Sequence, residues 1–219
     1  MKPSVPSQSR EIVLSRIRTA LLPRDVPRDA ESSWSAIPRH YRRSSDASTG
    51  SVLELLIDRL KDYDAQVSHS SQAGITHMIA QMLAARNAGT MLVPQGFPEA
   101  LLPEGFTYIR DEELSPALLD DCGGIITTCT LAIAETGTIV LQNAPGQGRR
   151  AASLVPDYHL CLIEAARVFA TVPEAFAALQ STSRLPTTFI SGPSATADIE
   201  MTRIKGVHGP RFLDVILIV

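Results

Sequence analysis

Three stretches of this chain are poor in side-chain bulk, rich in Gly, Ser, Thr and Pro, and set beside apolar runs. The first is Ala134-Glu135-Thr136-Gly137-Thr138. The second runs from Ile190 through Ser191-Gly192-Pro193-Ser194-Ala195-Thr196-Ala197-Asp198 to Glu200. The third is Gly206-Val207-His208-Gly209-Pro210. Glycines let a backbone approach a ligand closely. Backbone N–H groups with the Ser194 and Thr196 hydroxyls, feeding the start of a helix, would cradle an anion. The expected ligand contacts are Thr136, Gly137, Thr138, Ser191, Gly192, Pro193, Ser194, Thr196, Asp198 and Gly209. The plain alternative is a set of strand-to-helix turns with Asp198 as an N-cap.

Single residues sharpen that expectation. Glu135 could act as a general acid or base, or accept N–H bonds from its own turn. His208, between small residues, could relay a proton or cap a buried carbonyl. These two are the catalytic candidates. Arg149 and Arg150 could grip a carboxylate or phosphate with two parallel N–H bonds, a solvated pair being the default for Arg150. His159 opens an apolar strand and reads as structural. No metal ligand is expected: there is no Cys-x-x-Cys and no paired-histidine spacing, and the three cysteines (Cys122, Cys129, Cys161) read as small buried hydrophobes. Cluster, flavin, nicotinamide and P-loop motifs are missing, and Gly146-Gln147-Gly148-Arg149-Arg150-Ala151 follows a hairpin rather than opening a βαβ unit. The expectation is therefore no cofactor within this chain.

These loops must be positioned by the body. Its 219 residues are 44% hydrophobic and 20% charged, enough for one core. No apolar run is long enough to span a bilayer, and the first six residues lack a signal-peptide core, so a cytoplasmic protein is expected. Helices are expected over 9–22, from Ser51 with Val52, Leu56 and Leu60 inward, and over about 71–87. Thr171-Val172-Pro173-Glu174 reads as a capping box whose helix buries Phe176 and Leu179. Strands are expected near Val67, over Thr90–Val93, Phe106–Ile109, Ile125–Thr128, Leu160–Ile163 and Val168–Ala170, with Thr187–Ser191 and Phe212–Val219 closing the sheet. Leu131–Ala134 and Thr138–Leu141 form a hairpin turned at Gly137. Short, continuously apolar strands alternating with helices predict an α/β fold: an open, mostly parallel sheet with flanking helices and an inserted hairpin. The ligand crevice is expected beyond the carboxyl ends of its strands.

Charge is uneven. Residues 1–43 hold nine Lys/Arg against four acids, although the whole chain is at −3. Together with the Pro/Arg/Ser-rich stretch to Gly50, this predicts an N-terminal helix and arm over 1–50 and an α/β domain over 51–219. The arm could dock on an acidic partner or lie solvated; dispersed arginines with few aromatics give no reason to expect nucleic acid.

The three stretches, with Arg149 and Ser153-Leu154-Val155-Pro156-Asp157-Tyr158-His159 between the first two, resemble the LUD-domain family in order and spacing over roughly residues 125–219. Residues 51–124 match more loosely. The resemblance implies a fold like that of the sugar-phosphate isomerase and CoA-transferase group and of 5-formyltetrahydrofolate cyclo-ligase. It also implies a role in oxidising L-lactate to pyruvate beside an iron–sulfur oxidoreductase and a second iron–sulfur protein. One departure stands out: Thr128 and Thr130 occupy positions where family members often carry Gly and Asp. Two electrons leave lactate, and this chain shows no motif to accept them. An accessory component with a small anionic ligand is the leading expectation; a stand-alone transferase or ligase-like enzyme and a metabolite-binding regulatory module are the alternatives.

Overall fold

The computed structural model describes residues 8–20, 29–197, 203–206 and 208–219. The chain falls into two compact units, 1–41 and 42–219. In the first, α1 (Gln8–Ala20) leaves Ile12, Val13 and Ile17 about half exposed. Asp29 caps the short α2 (Ala30–Ser35), and Arg39 lies 4.6 Å over the Trp34 ring.

The second unit is built on six parallel strands: β1 (Gln66–Ser70), β2 (Thr90–Val93), β3 (Thr107–Arg110), β4 (Gly124–Thr128), β7 (Tyr158–Glu164) and β12 (Phe212–Ile218). Their spatial order is β1-β12-β7-β4-β2-β3, and every neighbouring pair is parallel. The two central strands, β12 and β7, are apolar on both faces because both faces are covered. On one face lies α4 (Ile75–Ala85), which places Ile75, Ile79 and Leu83 against Ile126, Leu160 and Ile216. Asn87, at φ +52, supplies the left-handed residue that ends it. The other face is covered by α3 (Thr49–Asp62), capped by Ser48. Its Val52, Leu56 and Leu60 meet Cys161 and Val215, each worth about 1.5–3 kcal/mol when fully buried. A short α5 (Pro116–Asp120), with proline in its first turn and Ser115 as cap, closes a smaller core around Leu92 and Ile125.

The hairpin is more than an insertion. β5 (Leu131–Ile133) and β6 (Thr138–Gln142) form the centre of a second, four-stranded sheet. Its outer members are β8 (Val168–Phe169), parallel to β5, and β9 (Thr187–Ile190), antiparallel to β6. The expectation that 168–170 and 187–191 join the main sheet is therefore corrected. Once the hairpin buries both of its faces, its two edges need partners, and these segments supply them. The capping box is present at Thr171 and Glu174, and α6 (Val172–Leu179) buries Ala175 and Leu179. Phe176 does not go inward. It is 53% exposed and stacks on Phe189 at 5.6 Å.

Beyond Ser194 the backbone enters an antiparallel ribbon, β10 (Ala195–Ala197) with β11 (Arg203–Lys205), instead of the helix start that was expected. On the α4 face, Asp214 is 1% exposed and accepts from Arg86 Nε at 3.0 Å, Arg86 Nη2 at 2.6 Å and Tyr158 O–H at 3.1 Å. Burial, with the Asp214 charge behind it, pushes the Tyr158 phenol well up and keeps it a donor. No helix among the described residues is long and apolar enough to cross a membrane.

Candidate functional site

Two crevices open at opposite ends of the parallel strands. The one with convergent polar groups lies at their amino ends, between the two sheets, with a cavity volume of about 240 Å³. His159 and Leu213, each the second residue of its strand and paired in register, form its floor. Phe189 and Ile190 of β9 and the 191–195 segment form one wall. Gly209 and Pro210 form another, and Arg150, Ser153 and Leu154 a third. This corrects the expected position: the convergence is at the amino ends because the 150–154 and 206–210 segments both lead into strands rather than out of them.

Ser194 ties the walls together. Its N–H donates to Pro210 O at 2.8 Å, its carbonyl accepts from Gly206 N–H at 3.0 Å, and its Oγ accepts from His208 N–H at 2.9 Å. Arg150 holds Ser153 loosely, at 3.5 Å, and has no carboxylate partner among the described residues. His159 Nε2 sits 2.7 Å from Thr127 Oγ1 on β4. Burial lowers the His159 pKa from its ordinary 6.5 to about 4, so the imidazole is neutral at pH 7. A guanidinium, a neutral imidazole and several hydroxyls against an apolar wall form a set suited to a small anion carrying carbon.

Of the expected contacts, Ser191, Gly192, Pro193, Ser194 and Gly209 line this pocket, and so does His208. Thr136 and Thr138 do not line it. They form a hydroxyl chain that ends on its wall, with Thr136 Oγ1 to Thr138 Oγ1 at 2.7 Å and Thr138 Oγ1 to Ser191 Oγ at 2.8 Å. Gly137, at φ +59, is required by its turn, and an added Cβ would meet Arg59 Cβ at 2.8 Å. Gly192, at φ +81, is likewise a packing glycine: a Cβ there would overlap Tyr63 Cβ. Thr196 is placed on β10 by its backbone, and Asp198 lies outside the described residues. Glu135 is half exposed, away from the pocket walls, with its Oε1 3.9 Å from Arg42 Nη2.

Arg149 is committed elsewhere. Its Nε and Nη2 both reach Asp111 at 3.0 Å, and Nη2 donates to Leu114 O at 2.6 Å. That pair belongs to the second crevice, at the carboxyl ends of β2 and β3, lined by Gln95, Gly96, Asp111, Glu113 and Pro145 with a volume of about 610 Å³. The residues missed from the sequence are therefore Arg150, Ser153 and His159. A signal was present for one of them: a histidine in an otherwise apolar central strand must find a partner or a cavity.

Elsewhere the polar groups are internal to the fold. Thr130 Oγ1 donates to Gln147 Oε1 at 2.9 Å, which also accepts from Gln142 N–H at 2.7 Å. The Cys129 thiol pKa is held well above its ordinary value by a hydrogen bond with Cys161 and by burial, which makes it a poor nucleophile. Among the described residues no three His, Cys, Asp or Glu side chains converge on a metal position.

Comparison with known proteins agrees with this architecture. The family model described as "LUD domain" matches residues 112–218. A protein named lactate utilization protein C from Deinococcus radiodurans is 43% identical over 192 residues, covering 86% of this chain and 89% of its own length. Lactate utilization protein C 1 from Bacillus mycoides is 26% identical over 93% of this chain and 94% of its own. The crystal structure of a DUF162 family protein from Deinococcus radiodurans superposes with a TM-score of 0.70 at 39% identity, over 79% of this chain and 99% of that one. On these matches, spanning both the sheet and the pocket loops, the chain belongs to the LUD-domain family.

Proposed function

We propose that this chain is an accessory component of an L-lactate utilisation system, working beside an iron–sulfur oxidoreductase and a second iron–sulfur protein and carrying no redox cofactor of its own. The observation that supports this most is the likeness to lactate utilization protein C along nearly the whole of that relative's length. Oxidation of lactate to pyruvate releases two electrons and two protons, so the acceptors belong to the partners in this reading. The contribution of this chain is to hold a small acid anion in the amino-end pocket and to present it, or its presence, to those partners. The pocket's open Arg150 favours this over the stand-alone transferase reading, for which no nucleophile–base pair is found among its described walls.

The test is genetic and biochemical together. Deleting the gene should abolish growth on L-lactate and leave growth on pyruvate intact. The full-length protein should purify colourless, fail to oxidise lactate alone, and retain two iron–sulfur proteins from lysate of lactate-grown cells. Unimpaired growth of the deletion strain on lactate, or stoichiometric flavin or cluster absorbance in the anaerobically purified protein, would overturn the proposal.

A further inference from the structure

The pocket floor holds a group whose chemistry is only half used. His159 is 1% exposed, and its one side-chain hydrogen bond among the described residues joins Nε2 and Thr127 Oγ1. Nδ1 has no partner among the described residues. Among the described residues no side-chain nitrogen or oxygen is left both sealed and unbonded, so Nδ1 must open into the cavity whose floor His159 forms.

Thr127 decides which nitrogen carries the proton. Its hydroxyl is fully buried, and among the described residues its one hydrogen-bond partner is this imidazole. With a proton on Nε2, the Thr127 O–H would have no acceptor, an arrangement that buried hydroxyls avoid. The hydroxyl therefore donates to Nε2, and the ring proton resides on Nδ1. A neutral N–H donor is thus aimed into the pocket, backed by a residue that fixes its tautomer.

We infer that the amino-end pocket binds a short 2-oxo- or 2-hydroxy-monocarboxylate, its carboxylate toward Arg150 and its uncharged carbonyl or hydroxyl oxygen accepting from His159 Nδ1–H. Three observations favour this class over inorganic phosphate. Arg150 is the one permanently charged side chain among the described walls, matching one negative charge. The floor donor is neutral at pH 7 and so suits a neutral oxygen. Leu154 and Leu213 offer apolar surface that a carbon substituent would cover and phosphate oxygens would not. The geometry stands on its own; only the choice of three-carbon acids as probes rests on the lactate-utilisation reading.

The test uses the full chain with ¹⁵N-labelled histidine, whose ring nitrogen shifts report tautomer and protonation. At pH 7 His159 should be neutral with its proton on Nδ1, and pyruvate or L-lactate should move that resonance as it saturates. Thr127→Val, close in shape but without the hydroxyl, should release the tautomer and weaken pyruvate binding about tenfold, the size of one neutral hydrogen bond. Thr127→Ser should restore both, which separates loss of the hydroxyl from loss of fold. Arg150→Gln should weaken pyruvate, lactate and acetate alike, whereas Thr127→Val should leave acetate unaffected because acetate has no second oxygen.

An Nε2-protonated His159 in the parent protein would overturn the inference. So would phosphate binding at least as tightly as pyruvate, or no saturable binding of either acid at millimolar concentration. The two readings fail separately. Pocket variants that lose acid binding yet grow on lactate would sink the pocket's role and leave the accessory role. Acid binding by a protein that lactate growth does not need would do the reverse.

Discussion

Arg149 and Arg150 are neighbours in sequence and opposites in structure. Arg149 turns to the carboxyl-end crevice and spends its guanidinium on Asp111 and Leu114 O, while Arg150 lines the amino-end pocket with no carboxylate in reach among the described residues. The same contrast separates the crevices as wholes. In the larger one the buried acid, Asp111, is already engaged with Arg149. The smaller one presents groups whose hydrogen-bonding capacity is left over. A volume of about 610 Å³ against about 240 Å³ would favour the first as a binding site, and the unspent donors favour the second. Chemistry is the better guide here, because a compensated charge gains little from a ligand.

The arginines give the sharpest way to break this contrast. Arg149→Leu should strand the Asp111 carboxylate, whose side chain is only 4% exposed. The expected cost is about 3 kcal/mol, at the lower end for a broken buried pair because Arg149 itself is a third exposed to solvent. Arg150→Leu should change stability by no more than about 0.5 kcal/mol while removing anion binding. Urea midpoints of the two variants check this, and equal losses would erase the distinction between structural and open arginine.

Acid stability tests the floor of the pocket. His159 is neutral in the folded chain with a pKa of about 4, against an ordinary 6.5. Between those values the unfolded chain takes up a proton that the folded chain refuses. Stability is therefore full above pH 6.5 and falls as pH drops toward 4, by at most about 1.4 kcal/mol per pH unit and about 3 kcal/mol in all. The His159→Gln variant should lose stability less steeply over that window than the parent. Parallel slopes would mean that His159 titrates equally in both states.

Much of this was legible in the sequence, for identifiable reasons. A short continuous apolar run such as Leu160–Ile163, too brief for a helix, reads as a strand covered on both faces, and the i, i+4 spacing of Val52, Leu56 and Leu60 reads as one helix stripe. Pairing partners were not legible. Nothing local distinguishes Thr187–Ile190 as a neighbour of β6 from a strand of the main sheet, because β-pairing is settled by distant edges. The same limit hid the pocket. Glycine-rich loops were visible, but whether Gly192 clears room for a ligand or for Tyr63 depends on where α3 ends. Arg150 and His159 acquire their meaning from Ser194 and Thr127, dozens of residues away.

Gly192 yields a prediction of intermediate size. Gly192→Ala combines a left-handed backbone with a Cβ driven into Tyr63, which predicts a loss of about 2 kcal/mol. Thermal melts should show this loss with and without pyruvate. A variant of unchanged stability that fails to bind pyruvate would restore Gly192 as a ligand contact in place of a packing residue.

The smallest effect is expected at Glu135, the residue whose type most invited a catalytic role. Its carboxylate is half exposed and lies 3.9 Å from a more exposed Arg42, a separation at which surface pairs contribute about 0–1 kcal/mol. Its backbone N–H donates to Ala170 O, which the side chain does not influence. The route from this turn to the pocket runs through the Thr136, Thr138 and Ser191 hydroxyls, and Glu135 is no part of that chain. Glu135→Gln should therefore shift stability by less than about 0.5 kcal/mol, leave pyruvate affinity unchanged, and support growth on lactate. Thr138→Val, in contrast, removes the central hydroxyl of the chain and should weaken binding by a few-fold through Ser191. Failure of the Glu135→Gln strain on lactate, with binding and melting intact, would place essential chemistry at the hairpin turn and reduce the amino-end pocket to a secondary site.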